Sequence, residues 1–275
     1  LYKKQVSSID EMSNLSKSAR QKLKENFEVG VFDHSSVSIS TDGTKKYLFP
    51  VKDGRFIESA YIPEGDRATL CVSSQVGCRM GCRFCMTARQ GFQGNLTTGE
   101  IVNQIRSLPE RDTLSNIVYM GMGEPFDNFQ NVMQSLDILT SDWGYAMSPR
   151  RITVSTIGII GAMTKFLEES QCHLAVSLHS PFDEERKALM PVQNNQPIQH
   201  VLETIKKYDL GRQRRVSFEY IMFKEINDTP RHVNQLARIL NGIRCRINLI
   251  RFHSIPDSPY QTSDDKTIEA FMVGL

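Results

Sequence analysis

The sequence predicts an α/β fold: a partial (β/α)6 barrel of the TIM type, preceded by a small N-terminal helical element and a β extension. From Thr69 onward, short apolar runs alternate with longer stretches of helical periodicity, as in βα units around a parallel sheet. About six such units are present, which is too few to close an eightfold barrel. Polar residues directly follow the apolar runs, at the strand ends where parallel βα folds hold their reactive groups.

The elements of the barrel follow in order along the chain. We predict strands at 69–73, 116–120, 151–155, 173–178, 216–222 and 246–250. We predict helices at 97–107, 128–140, 161–170, 183–189, 197–208 and 229–241, with a last helix beginning near Ser263. The stretch of about 20 residues after the first strand shows no obvious element, and a loop of that length favours a functional role.

The residues before the barrel divide into two parts. Residues 1–30 predict one short helix, capped by Ser13 or Ser16 and ended by Gly30. Polar and apolar residues alternate through 36–62 around two Asp-Gly turns, which favours antiparallel strands. The predicted domains are therefore an accessory helical element at 1–35, a β extension at 36–66 and the barrel at 67–275.

Composition and charge exclude several classes of protein. Of 275 residues, 40% are hydrophobic and 23% are charged, which is the balance of a folded protein rather than a disordered one. The net charge of +2 gives no support for a non-specific nucleic-acid binder. No apolar run reaches the roughly 18–20 residues of a membrane span, and the N-terminus lacks an export signal. We therefore expect a cytoplasmic protein whose six cysteines are reduced.

Three of the cysteines form a C-x3-C-x2-C motif in a glycine-rich loop after the first barrel strand. Cys78, Cys82 and Cys85 are close enough along the chain to bind one metal centre. A structural zinc site needs a fourth Cys or His at short spacing, and none follows within the loop. A 4Fe-4S cluster held by three thiolates leaves one iron open to a substrate, so the spacing favours the cluster. Three buried apolar cysteines are the alternative without a metal.

This loop resembles the signature of the radical S-adenosylmethionine (radical SAM) enzymes, in which the open iron binds that cofactor. Further runs resemble the RlmN/Cfr family of RNA adenine methyltransferases, namely IESAYIPEGDRATLCVSSQVGCRMGCRFC, MGMGEP, SPRRITVSTIG, SLHSP and NLIRF. The similarity covers residues 36–275. The family's fold, a partial barrel of the radical SAM type, agrees with the six units counted along the chain.

The resemblance also implies a set of site residues. The ligands of the 4Fe-4S cluster would be Cys78, Cys82 and Cys85. The residues that would hold S-adenosylmethionine are Gly123, Glu124, Ser155, Ser177, Leu178, His179 and Asn248. Glu58 corresponds to the family's proton acceptor, and Cys71 corresponds to the cysteine that resolves a covalent protein–RNA adduct by forming a disulfide.

Several of these positions also have a purely structural interpretation. Ser155 and Ser177 would then only end strands. Cys71 would be a buried strand cysteine, and Glu58 a solvated strand residue.

The function implied by the resemblance is methylation of C2 of an adenosine in 23S rRNA, with tRNA as a second candidate substrate. The family carries the methyl group on a cysteine of a C-terminal segment, which we expect beyond Leu275. Radical chemistry is needed because the sp2 carbon of adenine is not nucleophilic. The resemblance further implies an electron donor such as flavodoxin, and residues 1–35 would be the remnant of an RNA-binding domain. We expect a monomer and no membrane partner.

Two other functions are compatible with the sequence. STIGII and SLHSP resemble Cfr, which methylates C8 of adenine and confers ribosomal antibiotic resistance, whereas IPEGDRATLCVSSQVGC resembles RlmN more. A non-catalytic zinc-binding RNA module is the alternative from another class.

Overall fold

A computed structural model describes residues 2, 4, 6–27, 29–211 and 214–275 of the chain. The strands are β1 (Ser36–Ile39), β2 (Lys45–Pro50), β3 (Phe56–Glu64), β4 (Arg67–Cys71), β5 (Gln75–Val76), β6 (Gly94–Asn95), β7 (Asn116–Tyr119), β8 (Ile152–Thr156), β9 (His173–Ser177), β10 (Val216–Met222) and β11 (Cys245–Arg251). The α-helices are α1 (Lys17–Asn26), α2 (Met86–Arg89), α3 (Thr98–Arg106), α4 (Phe129–Thr140), α5 (Ile160–Glu169), α6 (Asp183–Leu189), α7 (Ile198–Lys206), α8 (Pro230–Leu240) and α9 (Asp265–Gly274). Within these ranges no helix is long and apolar enough to span a membrane.

The central sheet confirms the predicted α/β class. It contains nine of the described strands, in the order β1-β2-β3-β4-β7-β8-β9-β10-β11. The six from β4 to β11 pair in parallel and correspond to the six predicted barrel strands. β10 has the predicted bounds, and the other five differ from theirs by one or two residues. β1 and β11 are the two edges of the sheet, so the barrel is incomplete in the described part of the chain.

Side chains alternate between two faces along each parallel strand. On β8, Ile152 and Val154 are fully buried in the main apolar core, whereas Ser155 points into the concave side of the sheet. On β10, Phe218 and Tyr220 are in the same core. Each such side chain contributes roughly 1.5–3 kcal/mol of burial free energy, which fixes the register of the strand. The opposite face is thereby left to polar residues that can form a site.

The β extension continues the barrel sheet. β4 pairs in parallel with β7 on one side and antiparallel with β3 on the other, with Cys71 opposite Ala60. β3 in turn pairs with β2, with Glu58 opposite Leu48. Glu58 therefore lies in the same sheet as the barrel strands.

Two details of the predicted elements are wrong. Helix α1 begins after Ser16, whose hydroxyl accepts a hydrogen bond from the Ala19 N–H at 3.1 Å, but it ends before Gly30 because Phe27 is already extended. The loop after β4 is also more ordered than predicted, since it contains α2 and the paired strands β5 and β6. The prediction over 1–30 includes Leu1, Lys3, Gln5 and Glu28, which lie outside the described residues.

Candidate active site

A cavity of about 250 Å³ lies at the carboxyl ends of the parallel strands. It is lined by eight of the residues that the sequence predicts for the site, namely Cys78, Cys82, Cys85, Gly123, Glu124, Ser155, Ser177 and His179. They come from four separate loops or strand ends, which the parallel sheet brings to one edge. The structure thus gathers the predicted cluster ligands and most of the predicted cofactor residues around one space.

The three thiols of the cysteine motif share this cavity. Cys78 is buried and the other two are partly buried. Burial raises the pKa of Cys78 to about 11 and that of Cys82 to about 12, and the neighbouring thiols add to both shifts. Within the described residues, no three His, Cys, Asp or Glu side chains surround one point as a single metal ion requires. A 4Fe-4S cluster has a different requirement, because each thiolate binds a different iron atom. The donor set and the shared cavity fit such a cluster.

The base of the cysteine loop is clamped to its neighbours. Asn128 donates hydrogen bonds to the carbonyls of Ser74 and Leu96, at 2.8 and 2.7 Å, which ties together the two ends of the loop. Gly77 is required inside the clamp because its φ is 70° and a Cβ there would lie 1.7 Å from the Gly91 carbonyl oxygen. The cavity wall that carries the thiols is therefore held in place before any cofactor binds.

Glu124 also lines the cavity and is 3% exposed. One carboxylate oxygen accepts from the Phe126 N–H at 3.0 Å and the other from the Ile157 N–H at 2.9 Å. Burial nevertheless raises the pKa of Glu124 to about 7. The Thr156 side chain makes a third hydrogen bond to this carboxylate. A carboxylate has about four lone-pair sites, so it can still accept a hydrogen bond from a bound ammonium group.

We expect the Glu124→Gln substitution to flatten the dependence of stability on pH between about 5 and 8 in the cofactor-free protein. Because the folded-state pKa of Glu124 lies above the ordinary value of 4.5, the folded protein binds more protons in this interval. Its free energy of unfolding therefore falls as the pH rises, by roughly 3 kcal/mol at most. Denaturant unfolding across this pH range measures the slope.

The comparison must be made between the two proteins at each pH. His179 contributes with the opposite sign, because its lowered pKa makes stability fall as the pH drops below about 6.5. The lost acceptor for one backbone N–H lowers the stability of the Gln variant equally at every pH. Identical pH slopes in the two proteins would contradict the prediction.

His179 is neutral and its tautomer is fixed by the fold. It is 4% exposed, and burial lowers its pKa to about 3. Its Nδ1 accepts a hydrogen bond from the Ile221 N–H at 3.1 Å, so the ring hydrogen lies on Nε2. The Asn227 side chain donates to the His179 carbonyl at 2.6 Å and supports its left-handed backbone, φ 56°. The cavity is thus supplied with a neutral imidazole donor.

Glu219 is a cavity residue that the sequence analysis missed. It is 6% exposed, lies in the middle of β10, and burial raises its pKa. Asn248, on the neighbouring β11, lies outside the cavity lining and donates a hydrogen bond to Glu219 at 2.9 Å. Asn248 therefore reaches the cavity through Glu219. The signal in the sequence was a single acid inside the apolar run VSFEYIM.

Leu178, like Asn248, is a predicted cofactor residue whose side chain does not line the cavity. It is fully buried in the main core, and its backbone N–H donates to the Glu219 carbonyl at 3.0 Å. Its position between Ser177 and His179 leaves only its backbone near the site.

Cys71 and Glu58 lie next to the cavity but do not line it. Cys71 is partly buried and burial raises its pKa to about 11, while a backbone hydrogen bond from Met120, a lining residue, acts against that shift. The Glu58 carboxylate is about half exposed and pairs with Lys46 at 3.3 Å. Ser73 holds the Glu58 backbone by donating to its carbonyl at 2.6 Å. Both residues lie on the face of the sheet opposite the main core, which is the face that carries Ser155.

Comparison with known proteins places the chain in a family. Residues 72–237 match the family model of the radical SAM superfamily, and residues 1–29 match that of the ribosomal RNA large subunit methyltransferase N-terminal domain. A probable dual-specificity RNA methyltransferase RlmN of Parabacteroides distasonis is 56% identical over 271 residues, which cover 98% of this chain and 79% of that protein. The chain belongs to the RlmN family of radical SAM proteins.

Two further similar proteins agree with this assignment. The dual-specificity RNA methyltransferase RlmN of Syntrophus aciditrophicus is 43% identical, over 98% of this chain and 79% of that protein. The crystal structure of a radical SAM methyltransferase from Sphaerobacter thermophilus superposes with a TM-score of 0.92 at 37% identity, covering all of this chain and 82% of that one. The predicted radical SAM fold and methyltransferase family are confirmed, with the 4Fe-4S cluster and S-adenosylmethionine as the family's cofactors.

Proposed function

We propose that this chain methylates C2 of an adenosine in 23S rRNA, and of an adenosine in tRNA, as a monomer in the cytoplasm. The observation that carries the proposal is the single cavity in which three cysteine thiols face a polar rim of Glu124, Ser177 and His179. That combination suits a 4Fe-4S cluster beside a zwitterionic nucleoside. The names of the relatives, dual-specificity RNA methyltransferases RlmN, support RNA as the substrate and RlmN over Cfr.

In this proposal, separate residues of the protein hold the cluster and bind S-adenosylmethionine. Cys78, Cys82 and Cys85 hold the cluster, which with S-adenosylmethionine supplies the radical chemistry that an unreactive adenine carbon needs. The Glu124 carboxylate accepts from the cofactor's ammonium group, and the neutral His179 donates from Nε2. Because the surrounding walls are prebuilt, these groups orient the cofactor without reorganisation.

The RNA-handling residues lie on the concave side of the sheet. Glu58 takes the adenine ring proton, for which its exposed carboxylate and its Lys46 partner are suited. Cys71 attacks as a thiolate the sulfur that links protein and RNA, and a sulfur–sulfur bond forms as the carbon–sulfur bond breaks. The released carbon keeps the electron pair of that bond and takes up a proton, which completes the methyl group. A substrate adenine must leave its stack to reach both groups.

Mapping of the methylated base tests the function. We expect the complete gene product, reconstituted anaerobically with iron and sulfide, to form 2-methyladenosine in 23S rRNA and in tRNA. Digestion of the RNA and mass spectrometry against 2-methyl and 8-methyl standards identify the product. An 8-methyl product would establish the Cfr-type reaction, and zinc without iron or sulfide would establish the zinc module.

The electron donor is proposed to dock on the outer side of the cysteine loop. Cys82 lines the reactive cavity and also a second cavity of about 420 Å³, whose other lining residues are Gly81, Arg83, Ala88, Arg89, Pro259 and Tyr260. Arg83 and Arg89 are exposed cations, and Arg89 donates to the carbonyls of Pro256 and Asp257 rather than to a carboxylate. An acidic redox protein of the flavodoxin type suits this surface.

We expect the Arg83→Glu variant to lose about tenfold or more of its turnover with flavodoxin while keeping its turnover with dithionite. Charge reversal at a docking rim slows association with an acidic partner, whereas a small reductant needs no docking. Arg238→Glu, an exposed charge reversal on α8, is the matched control. Equal losses with both reductants, or weaker RNA binding by the Arg83 variant, would place Arg83 in another role.

A further inference from the structure

Arg186 is a fully buried cation next to the cysteine loop. It lies on α6, has no exposed surface and is the largest of the fully buried side chains. Its guanidinium donates to the carbonyls of Leu178 at 3.2 Å, Ile157 at 2.9 Å, Ser177 at 3.0 Å and Gln196 at 3.3 Å. A fifth hydrogen bond goes to the side-chain oxygen of Gln193. Every donor direction of the guanidinium is thus used.

All five acceptors are neutral. No carboxylate lies within ion-pair distance of Arg186 in the part of the chain that the structure describes. The nearest acid along the network is Asp183, which accepts from Gln193 at 2.8 Å and is exposed to solvent, where its field is screened. Burying a charge without a counter-charge is costly, and buried cations in proteins are usually paired.

The residues around Arg186 indicate where a compensating negative charge would lie. Ile157 and Ser177, whose carbonyls Arg186 binds, both line the reactive cavity. The Leu189 carbonyl at the end of α6 accepts from the Arg83 N–H at 3.0 Å, which joins this helix to the cysteine loop. Cys82 packs against a small apolar cluster that contains Ile157 and Leu189, the last residue of α6. The cation therefore lies behind the cavity wall, on the side of the cluster ligands.

We propose that Arg186 is the built-in counter-charge of the 4Fe-4S cluster and a positioning residue for the strand ends that face it. This inference rests on the proposed function, since it needs the cluster to be present. A fixed positive charge favours the reduced cluster, which carries one more electron and no additional proton. The electron comes from the donor or from a chemical reductant, and no bond in the protein forms or breaks. Arginine suits the position because its planar fork holds several carbonyls while remaining charged.

The experiment is a redox titration of the anaerobically reconstituted protein followed by electron paramagnetic resonance. We expect Arg186→Gln, which keeps an amide donor but removes the charge, to shift the midpoint potential to a more negative value. The ratio of reduced to oxidised cluster at a fixed potential falls about tenfold, which corresponds to an electrostatic energy of about 1.4 kcal/mol. Arg186→Lys keeps the charge, so its potential stays near that of the unchanged protein.

Arg214→Gln is the matched control. Arg214 likewise donates to three backbone carbonyls, those of Cys172, Leu167 and Phe166, but it lies before β10 and away from the cavity. This variant loses stability without a change of potential. If Arg186→Gln has the potential of the unchanged protein, or if Arg186→Lys shifts it equally, the counter-charge role is refuted.

A second variant keeps the test decisive if Arg186→Gln does not fold. The double variant Asp183→Asn/Gln193→Glu moves one carboxylate from the exposed end of this network onto the guanidinium, while Arg186 stays in place and the net charge is unchanged. The proportion of reduced cluster at a fixed potential then falls, and no change would refute the inference. Iron and sulfide analysis distinguishes a failure of the proposed function from a failure of the Arg186 role. An unchanged protein that takes up no cluster refutes the proposed function, whereas a loaded cluster with unaltered potentials refutes the Arg186 role alone.

Discussion

The Cys82→Ala substitution is expected to abolish cleavage of S-adenosylmethionine. Cys82 is one of three thiols on the wall of the cavity, and with two thiolates left a second iron of the cluster loses its protein ligand. Cluster loading and formation of 5′-deoxyadenosine therefore both fall to background. Iron and sulfide content per chain, and chromatography of the reaction products under anaerobic conditions, measure the two effects.

Cys172→Ala is the matched control for this substitution. Cys172 is 1% exposed and belongs to the main apolar core, outside the cavity. Its replacement removes one buried sulfur and lowers the free energy of unfolding by about 1–2 kcal/mol, while cluster content and cleavage persist. A Cys82 variant that retains full cluster content, or a Cys172 variant that loses it, would contradict the assignment of the ligands.

The strands of the barrel were predictable because burial imposes a strong sequence pattern. β8 and β10 are short runs whose buried residues are apolar except for Thr156 and Glu219, and their lengths match strands, so their positions follow from the sequence to within a residue or two. The cysteine loop was equally predictable, since three thiols at C-x3-C-x2-C spacing have few structural explanations. Both patterns lie within short stretches of sequence, so they can be recognised without knowledge of the tertiary contacts.

The remaining site residues could not be predicted because the sequence does not show which way their side chains point in the fold. Glu219 reaches the cavity because of the register between β9 and β10, which pairs it with Ser177. Successive side chains at the end of β9 also point to opposite faces of the sheet. The Leu178 side chain therefore lies in the core, although both of its neighbours line the cavity. Arg186 was missed for a related reason: on an amphipathic helix rich in Asp and Glu, an arginine usually belongs to the solvated face.

The ordered elements of the cysteine loop could not be predicted from its sequence. Its sequence contains glycines and polar residues without periodicity, and the short elements β5, α2 and β6 are stabilised from outside by residues such as Asn128. Long-range hydrogen bonds of this kind leave no pattern within the loop itself. The order of the loop is therefore a property of the fold, although its cysteines identify its chemistry.

The Cys71→Ala substitution is expected to trap the enzyme on its RNA. Cys71 is outside the lining of the cavity, so cluster binding and cofactor cleavage persist in this variant. The step that Cys71 is proposed to perform, attack on the sulfur that joins protein and RNA, has no substitute on Ala. A covalent protein–RNA species therefore accumulates in the complete gene product, and denaturing gel electrophoresis with labelled RNA detects it.

The pKa of Cys71 adds a second measurement to this prediction. Burial raises it to about 11, so only a small fraction of the thiol is ionised at neutral pH. Because the thiolate is the nucleophile, release of methylated RNA by the unchanged enzyme should speed up with rising pH, up to tenfold per unit below that pKa. Cys245→Ala, which removes a partly buried cysteine at the first residue of β11, should release RNA normally. Normal turnover by the Cys71 variant, without a crosslinked species, would show that another group resolves the adduct.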